Sequence, residues 1–260
     1  MINDYGDEIN MRIGGFLPTT LLDYPEKLAC TVFTCGCNFR CPFCQNGSLV
    51  LNSLQESSAC YEKDDILTKI EKRKHLLEGV CVTGGEPTLQ KDLPEFLSEI
   101  KKMGLLVKLD TNGSHPHIIK SLYQEHLIDY VAMDIKSSKE HYAFVSGISG
   151  QEDALLTSSD FLSFIEESVE FLMHSGIAYE FRTTLVKGLH TYDDMSSISQ
   201  WIKGARKYYL QSYEDHDLVI AKCNPDNRSF PAFDAFSKDE LEAFLHIAQA
   251  TIPAASLRGI

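Results

Sequence analysis

"LACTVFTCGCNFRCPFCQN", residues 28–46, is an apolar run followed by four cysteines within ten positions. Residues 28–34 are apolar and rich in β-branched side chains, which predicts a buried strand ending just before Cys35. Cys37, Cys41 and Cys44 have the spacing C-x3-C-x2-C, so three thiols on one short loop can face a common centre. A structural zinc site needs a fourth N or S ligand, and Cys35 could supply it. A single residue separates Cys35 from Cys37, however, which is tight for a zinc knuckle. Three thiolates also suit a [4Fe–4S] cluster with one iron left open. Spacing alone leaves both readings standing.

Outward from this loop, strand and helix patterns alternate. Residues 62–77, 93–104, 116–127, 160–176, 192–205 and 238–251 show helical apolar spacing. Between them, residues 79–85, 105–113, 128–136, 178–186 and 207–213 read as strands, and "ASLRGI" at 255–260 as a last short one. The alternation predicts an α/β fold with a mostly parallel sheet and helices outside. About six βα units can be counted, and an eight-unit barrel usually needs about 250 residues. The expectation is a partial (β/α)6 TIM-like barrel. It forms one domain over residues 1–260, with a core at about 28–212, an N-terminal arm at 1–27 and a C-terminal extension at 213–260. The loosest segments are 1–10, 46–60, 146–158 and 212–237. The cysteines, "TGGEP", "DTNG", "DIK" and "KG" at 187–188 all follow strands, and in a parallel barrel those ends share the face where active sites are built.

The net charge of −13 gives no general attraction for nucleic acid or anionic lipid. No run approaches the roughly 20 apolar residues of a membrane span, and the N-terminus lacks the marks of a secretory signal. A cytoplasmic protein with neither nucleic-acid nor membrane partners is expected. In that reducing compartment clustered cysteines bind metal or do chemistry more often than they pair.

C-x3-C-x2-C with Phe43 before the last cysteine resembles the signature of the radical S-adenosylmethionine (SAM) superfamily. The resemblance implies that Cys37, Cys41 and Cys44 bind one [4Fe–4S] cluster, that SAM chelates its open iron, and that Cys35 is a bystander. It places Phe43 beside the adenine. "TGGEPTLQ" at 83–90 resembles the superfamily's glycine-glycine-glutamate motif, which implies Gly84, Gly85 and Glu86 at the SAM amino group. "LDTNG" at 109–113 and "MDIK" at 133–136 resemble the glycyl-radical-enzyme activating proteins. By that resemblance Asp110, Thr111 and Asp134 line a monovalent cation site, Asn112 belongs to the same cofactor-binding motif, and Lys136 and Arg182 contact SAM. Taken singly, "DTNG" is also an ordinary turn, Asp134 with Lys136 a solvated pair, and Arg182 a structural salt bridge.

The stretch from "IGGF" to "CQN" is most similar to the activating proteins of anaerobic ribonucleoside-triphosphate reductases, and "SLRG" near the end fits them too. The resemblance implies reductive SAM cleavage to a 5′-deoxyadenosyl radical, which takes hydrogen from a glycine of a partner glycyl radical enzyme. Flavodoxin or ferredoxin is the expected electron donor. No side chain serves as a catalytic acid or base; the cluster and SAM carry the chemistry. Tyr213 stands where related activases have a histidine, and Gln45 where many have another. The rival readings are a radical SAM enzyme acting on a small molecule, such as the 7-carboxy-7-deazaguanine synthases, and a zinc-binding module. Of the other cysteines, Cys30 and Cys81 read as core, and Cys60 and Cys223 as isolated. The nine histidines show no H-x3-H or HExxH spacing, and most read as surface or helix-end residues.

Overall fold

The apolar run after Leu28 forms strand β2 (Ala29–Thr34), buried along nearly its whole length. Before it, β1 (Ile13–Thr20) pairs antiparallel with β2. The sequence pattern predicts no strand here, only an arm. Gly14, Gly15 and Pro18 interrupt its alternation, and the register slips twice, between Ile13 and Gly15 and between Leu17 and Thr20. Bulges of this kind hide a strand from a period-two reading.

The computed structural model describes residues 11–51, 60–148, 158–223 and 233–259. Residues 1–10 and parts of the other segments read as loose lie outside the described residues. The remaining strands are β3 (Gly79–Gly84), β4 (Leu106–Thr111), β5 (Tyr130–Asp134), β6 (Ala178–Leu185), β7 (Tyr208–Ser212) and β8 (Ala255–Arg258). Their order in the sheet is β1-β2-β3-β4-β5-β6-β7-β8. The pairs β2–β3, β3–β4, β6–β7 and β7–β8 are parallel. The α/β class with a mostly parallel sheet is the one expected.

The long helices are α1 (Lys63–Glu71), α2 (Leu93–Lys102), α3 (Pro116–Gln124), α4 (Ser158–His174), α5 (Tyr192–Trp201) and α6 (Lys238–Gln249). Helix α1 ends earlier than the pattern over 62–77 predicts. Its buried stripe is Ile66 and Ile70, and the next positions on that face, 73 and 74, are Arg and Lys. Helices α5 and α6 each open with a capping box, Thr191 with Asp194 and Ser237 with Glu240. Among the described residues no helix is long and apolar enough to cross a membrane.

The chain divides into two compact units. Unit 1 takes residues up to Asn38, Ser48–Thr111 and Ile118–Tyr130; unit 2 takes Phe39–Gly47, Asn112–His117 and residues from Val131 onward. In unit 1, Val80, Val82, Phe96, Leu97, Ile100, Val107 and Leu109 are fully buried. In unit 2 the core includes Val131, Met133, Ile165, Phe181, Ile198, Tyr208 and Leu210, likewise fully buried.

Candidate functional site

In unit 1 the entrance to the cysteine loop is strapped down by backbone. Cys35 N–H donates to Arg12 O at 2.8 Å, and Gln90 Nε2 donates to Cys35 O at 2.8 Å. Gly85 N–H donates to Thr34 O at 2.9 Å, and Glu86 N–H to Gly36 O at 2.8 Å. Gly84 has φ of 115°, and a Cβ there would lie 2.4 Å from Thr34 N; on Gly85 it would lie 1.9 Å from Gly36 O. The two glycines therefore let the motif after β3 close onto the loop that carries Cys37. Cys37 itself is partly buried, its thiol 4.0 Å from Asn38 Oδ1.

Glu86 is fully buried. Its Oε1 accepts hydrogen bonds from Thr88 N–H at 3.2 Å, Thr88 Oγ1 at 2.5 Å and Thr111 Oγ1 at 2.8 Å. Two strand ends, β3 and β4, thus fix one carboxylate. Asp110, on the same strand as Thr111, makes an ion pair with the buried ammonium of Lys108. Cys35 is buried and hydrogen-bonded to Cys60, and burial pushes its thiol up to about 11. Cys60, expected to be isolated, has Cys35 as its neighbour. Cys30 and Cys81 are fully buried core residues, as expected.

In unit 2 the loop carrying Cys41 and Cys44 is bracketed from two sides. Arg40 N–H donates to Ser146 O at 2.9 Å, and the Cys41 thiol donates to the same oxygen at 3.6 Å. Ile220 N–H donates to Cys44 O at 3.0 Å, and Ala221 N–H to Pro42 O at 2.9 Å. Gln45 Nε2 donates to Glu214 O at 2.8 Å. Burial raises the Cys44 thiol against the opposing pull of the Asn46 N–H and the Lys136 charge. Cys35 and Cys44 both rise through burial, so burial alone does not separate ligand from bystander. Phe43 is buried and meets His190 edge-on, ring centres 6.3 Å apart.

At the end of β5, Asp134 sits between two cations. Lys136 Nζ lies 2.8 Å from its Oδ2 and Arg182 Nε 2.8 Å from its Oδ1. Burial would raise the Asp134 carboxyl, but Arg182 and Lys136 outweigh it and hold it well below the usual carboxylate range. Burial likewise opposes the charged form of Lys136; Asp134 and the nearby Cys41 and Cys44 thiols overcome that and raise it. These are not a solvated pair: the salt-bridge reading of Arg182 describes its contact, and the cluster is partly buried. Asn112 is buried and closes its own turn, its Oδ1 accepting from Ser114 N–H at 3.0 Å and Ser114 Oγ at 2.6 Å. The turn reading of "DTNG" therefore accounts for Asn112.

His190 is an exception to the expectation that most histidines lie at the surface or at helix ends. It is buried; Nε2–H donates to Lys136 O at 2.8 Å, and Nδ1 accepts from Val186 N–H at 3.1 Å. Those bonds fix the neutral tautomer, and burial lowers its basicity further. It touches both Phe43 and the Lys136 backbone, yet a lone histidine after "VKGL" carries no spacing signal. Tyr213 is buried, its hydroxyl donating to Asp215 at 3.1 Å, and burial raises that hydroxyl to about 12.

None of the eight cysteines is in a disulfide. Among the described residues no group of three or more His, Cys, Asp or Glu side chains could hold a single metal ion. A cubane does not ask for that arrangement, because its thiolate ligands bind separate irons. Thiolate is the ligand chemistry such a cluster takes, and none of Cys37, Cys41 and Cys44 is in a disulfide.

The sequence profile of the radical SAM superfamily matches residues 31–182. A protein of Methanocaldococcus jannaschii, provisionally named as a glycyl-radical enzyme activating enzyme, is 31% identical over 79% of this chain and 81% of its own length. A second M. jannaschii protein with the same provisional name is 26% identical over 84% of this chain and 79% of its own. The crystal structure of Streptococcus suis SuiB bound to SAM superposes with a TM-score of 0.61 at 11% identity, over 86% of this chain and 48% of that one. That likeness shows the fold, the partial-barrel α/β architecture expected from the sequence. Superfamily members use a [4Fe–4S] cluster and SAM. On the profile match and the 31% relative, the chain belongs to the radical SAM superfamily.

Proposed function

We propose that this chain is a glycyl-radical-enzyme activase, acting as one radical SAM domain on anaerobic ribonucleoside-triphosphate reductase. The observation that carries the reading is the Asp134–Lys136–Arg182 ion cluster beside the Cys41 and Cys44 thiols. A zwitterionic amino acid needs a fixed cation for its carboxylate and a fixed anion for its ammonium. Lys136 and Arg182 offer the first, held in line by Asp134; the second is the role that the family resemblance gives to the buried Glu86. Cys37, Cys41 and Cys44 would hold the cluster. Phe43, at the edge of His190, offers a rigid apolar surface to an adenine. Gly84, Gly85 and Asn112 shape the loops around these groups.

When bound, the cluster and SAM supply a carbon-centred radical by one-electron cleavage of the sulfonium. The chain's own residues chelate, orient and exclude water. The donor would be a reduced flavodoxin or ferredoxin, and the setting cytoplasmic. The monovalent cation implied for Asp110, Thr111 and Asp134 does not fit these residues. Two of them already face fixed cations: Asp110 that of Lys108, and Asp134 those of Lys136 and Arg182.

Anaerobic incubation with SAM, a reductant and purified reductase, read by electron paramagnetic resonance, tests the proposal. A glycyl-radical doublet on the reductase that needs this protein is the expected result. No doublet, with SAM cleaved in response to a small molecule instead, would replace the activase reading with the small-molecule one.

A further inference from the structure

Strand β4 reads "LVKLDT", and the lysine in its middle is 2% exposed. A lysine that deep is rare unless an opposite charge lies beside it. Residues 108 and 110 point to the same side of a strand, so the ammonium and the carboxylate meet. Lys108 forms an ion pair with Asp110 Oδ1 and also donates to Cys81 Sγ at 3.8 Å. The Cys81 thiol in turn donates to Asp110 Oδ1 at 3.8 Å. All three residues belong to unit 1.

We propose that Lys108 is a built-in cation: its ammonium occupies the place on Asp110 where a monovalent metal ion would sit, so that SAM binding needs neither Na⁺ nor K⁺. The inference rests on the SAM-binding reading above. A lysine ammonium carries the same single positive charge as an alkali ion. It is tethered to the strand, so no ion has to be captured from solution. A free ion entering this position would share one carboxylate with a fixed like charge, which disfavours both.

The test measures SAM affinity of the anaerobically reconstituted full chain by calorimetry in sodium, potassium and tetramethylammonium salts at equal ionic strength. For the unsubstituted protein the affinity should agree within about twofold in all three, whereas Lys108→Met should lose about tenfold in tetramethylammonium and recover in Na⁺ or K⁺. If Lys108→Met yields too little folded protein, Lys108→Gln, which keeps a hydrogen bond to Asp110 without the charge, is read the same way. An unsubstituted protein that loses about tenfold in tetramethylammonium would overturn the proposal, as would a variant indifferent to the salt. No SAM binding in any salt would overturn the SAM reading itself, and this inference with it.

Discussion

At the scale of single residues, the Asp134 cluster and the two glycines make separable predictions. Replacing Lys136 by Met leaves Asp134 paired with Arg182 at 2.8 Å, so the fold should persist. SAM affinity should fall by about tenfold or more, because a fixed charge for the carboxylate is lost; equilibrium binding checks this. Gly85→Ala places a Cβ 1.9 Å from Gly36 O, a backbone atom that cannot swing aside. That variant should lose about 1–3 kcal/mol in denaturant unfolding of the cluster-free protein. A glycine kept only to admit a ligand would show no loss there. The sequence displayed Glu86, Asp134 and Lys136 plainly, since each sits in a short motif after a strand. It could not show that Arg182 closes on Asp134 across 48 positions, or that His190 supports Lys136 from 54 away. Both contacts are made by the fold, and neither leaves a local pattern.

At the scale of elements, helix α5 shows what local chemistry fixes. Thr191 accepts from Asp194 N–H, and Asp194 accepts from Thr191 N–H at 3.0 Å. Asp194 also receives Ser138 Oγ at 2.5 Å and has His141 Nδ1 at 2.7 Å. Burial would raise its carboxyl, but the hydrogen bonds from Ser138, Thr191 and His141 outweigh that and lower it. A depressed carboxyl stabilises the fold above its ordinary pKa and loses that contribution as pH falls through the folded value. Asp194→Asn should therefore cost about 1–2 kcal/mol at neutral pH. The difference from the unsubstituted protein should shrink below about pH 4, which urea unfolding across that range measures. The helix itself was legible in sequence from its apolar spacing. Strand β1 was not, because Gly14, Gly15 and Pro18 break its alternation; its partner β2 supplies the order that local propensity does not.

For the whole molecule, the last strand ties distant sequence together within unit 2. Arg258 grips the fully buried Glu180 with two bonds, 2.7 and 3.0 Å, and its guanidinium lies 3.6 Å from the centre of the Tyr209 ring. Arg258→Met would take two charge-assisted hydrogen bonds from a buried carboxylate. Because the arginine is a third exposed, the expected cost is at the low end for buried pairs, about 2–3 kcal/mol in chemical denaturation. The alternation of strands and helices was enough to give the fold class, since period and length are local quantities. The division of the cysteine motif, Cys37 in one unit and Cys41 with Cys44 in the other, was not readable from a loop of eight residues. The central claim is that those three thiols hold a cluster with one iron open to SAM. Electron paramagnetic resonance of the reduced, reconstituted protein, recorded with and without SAM, tests it most directly. A reduced-cluster signal that SAM shifts is the predicted result; a signal that SAM leaves unchanged would contradict the claim.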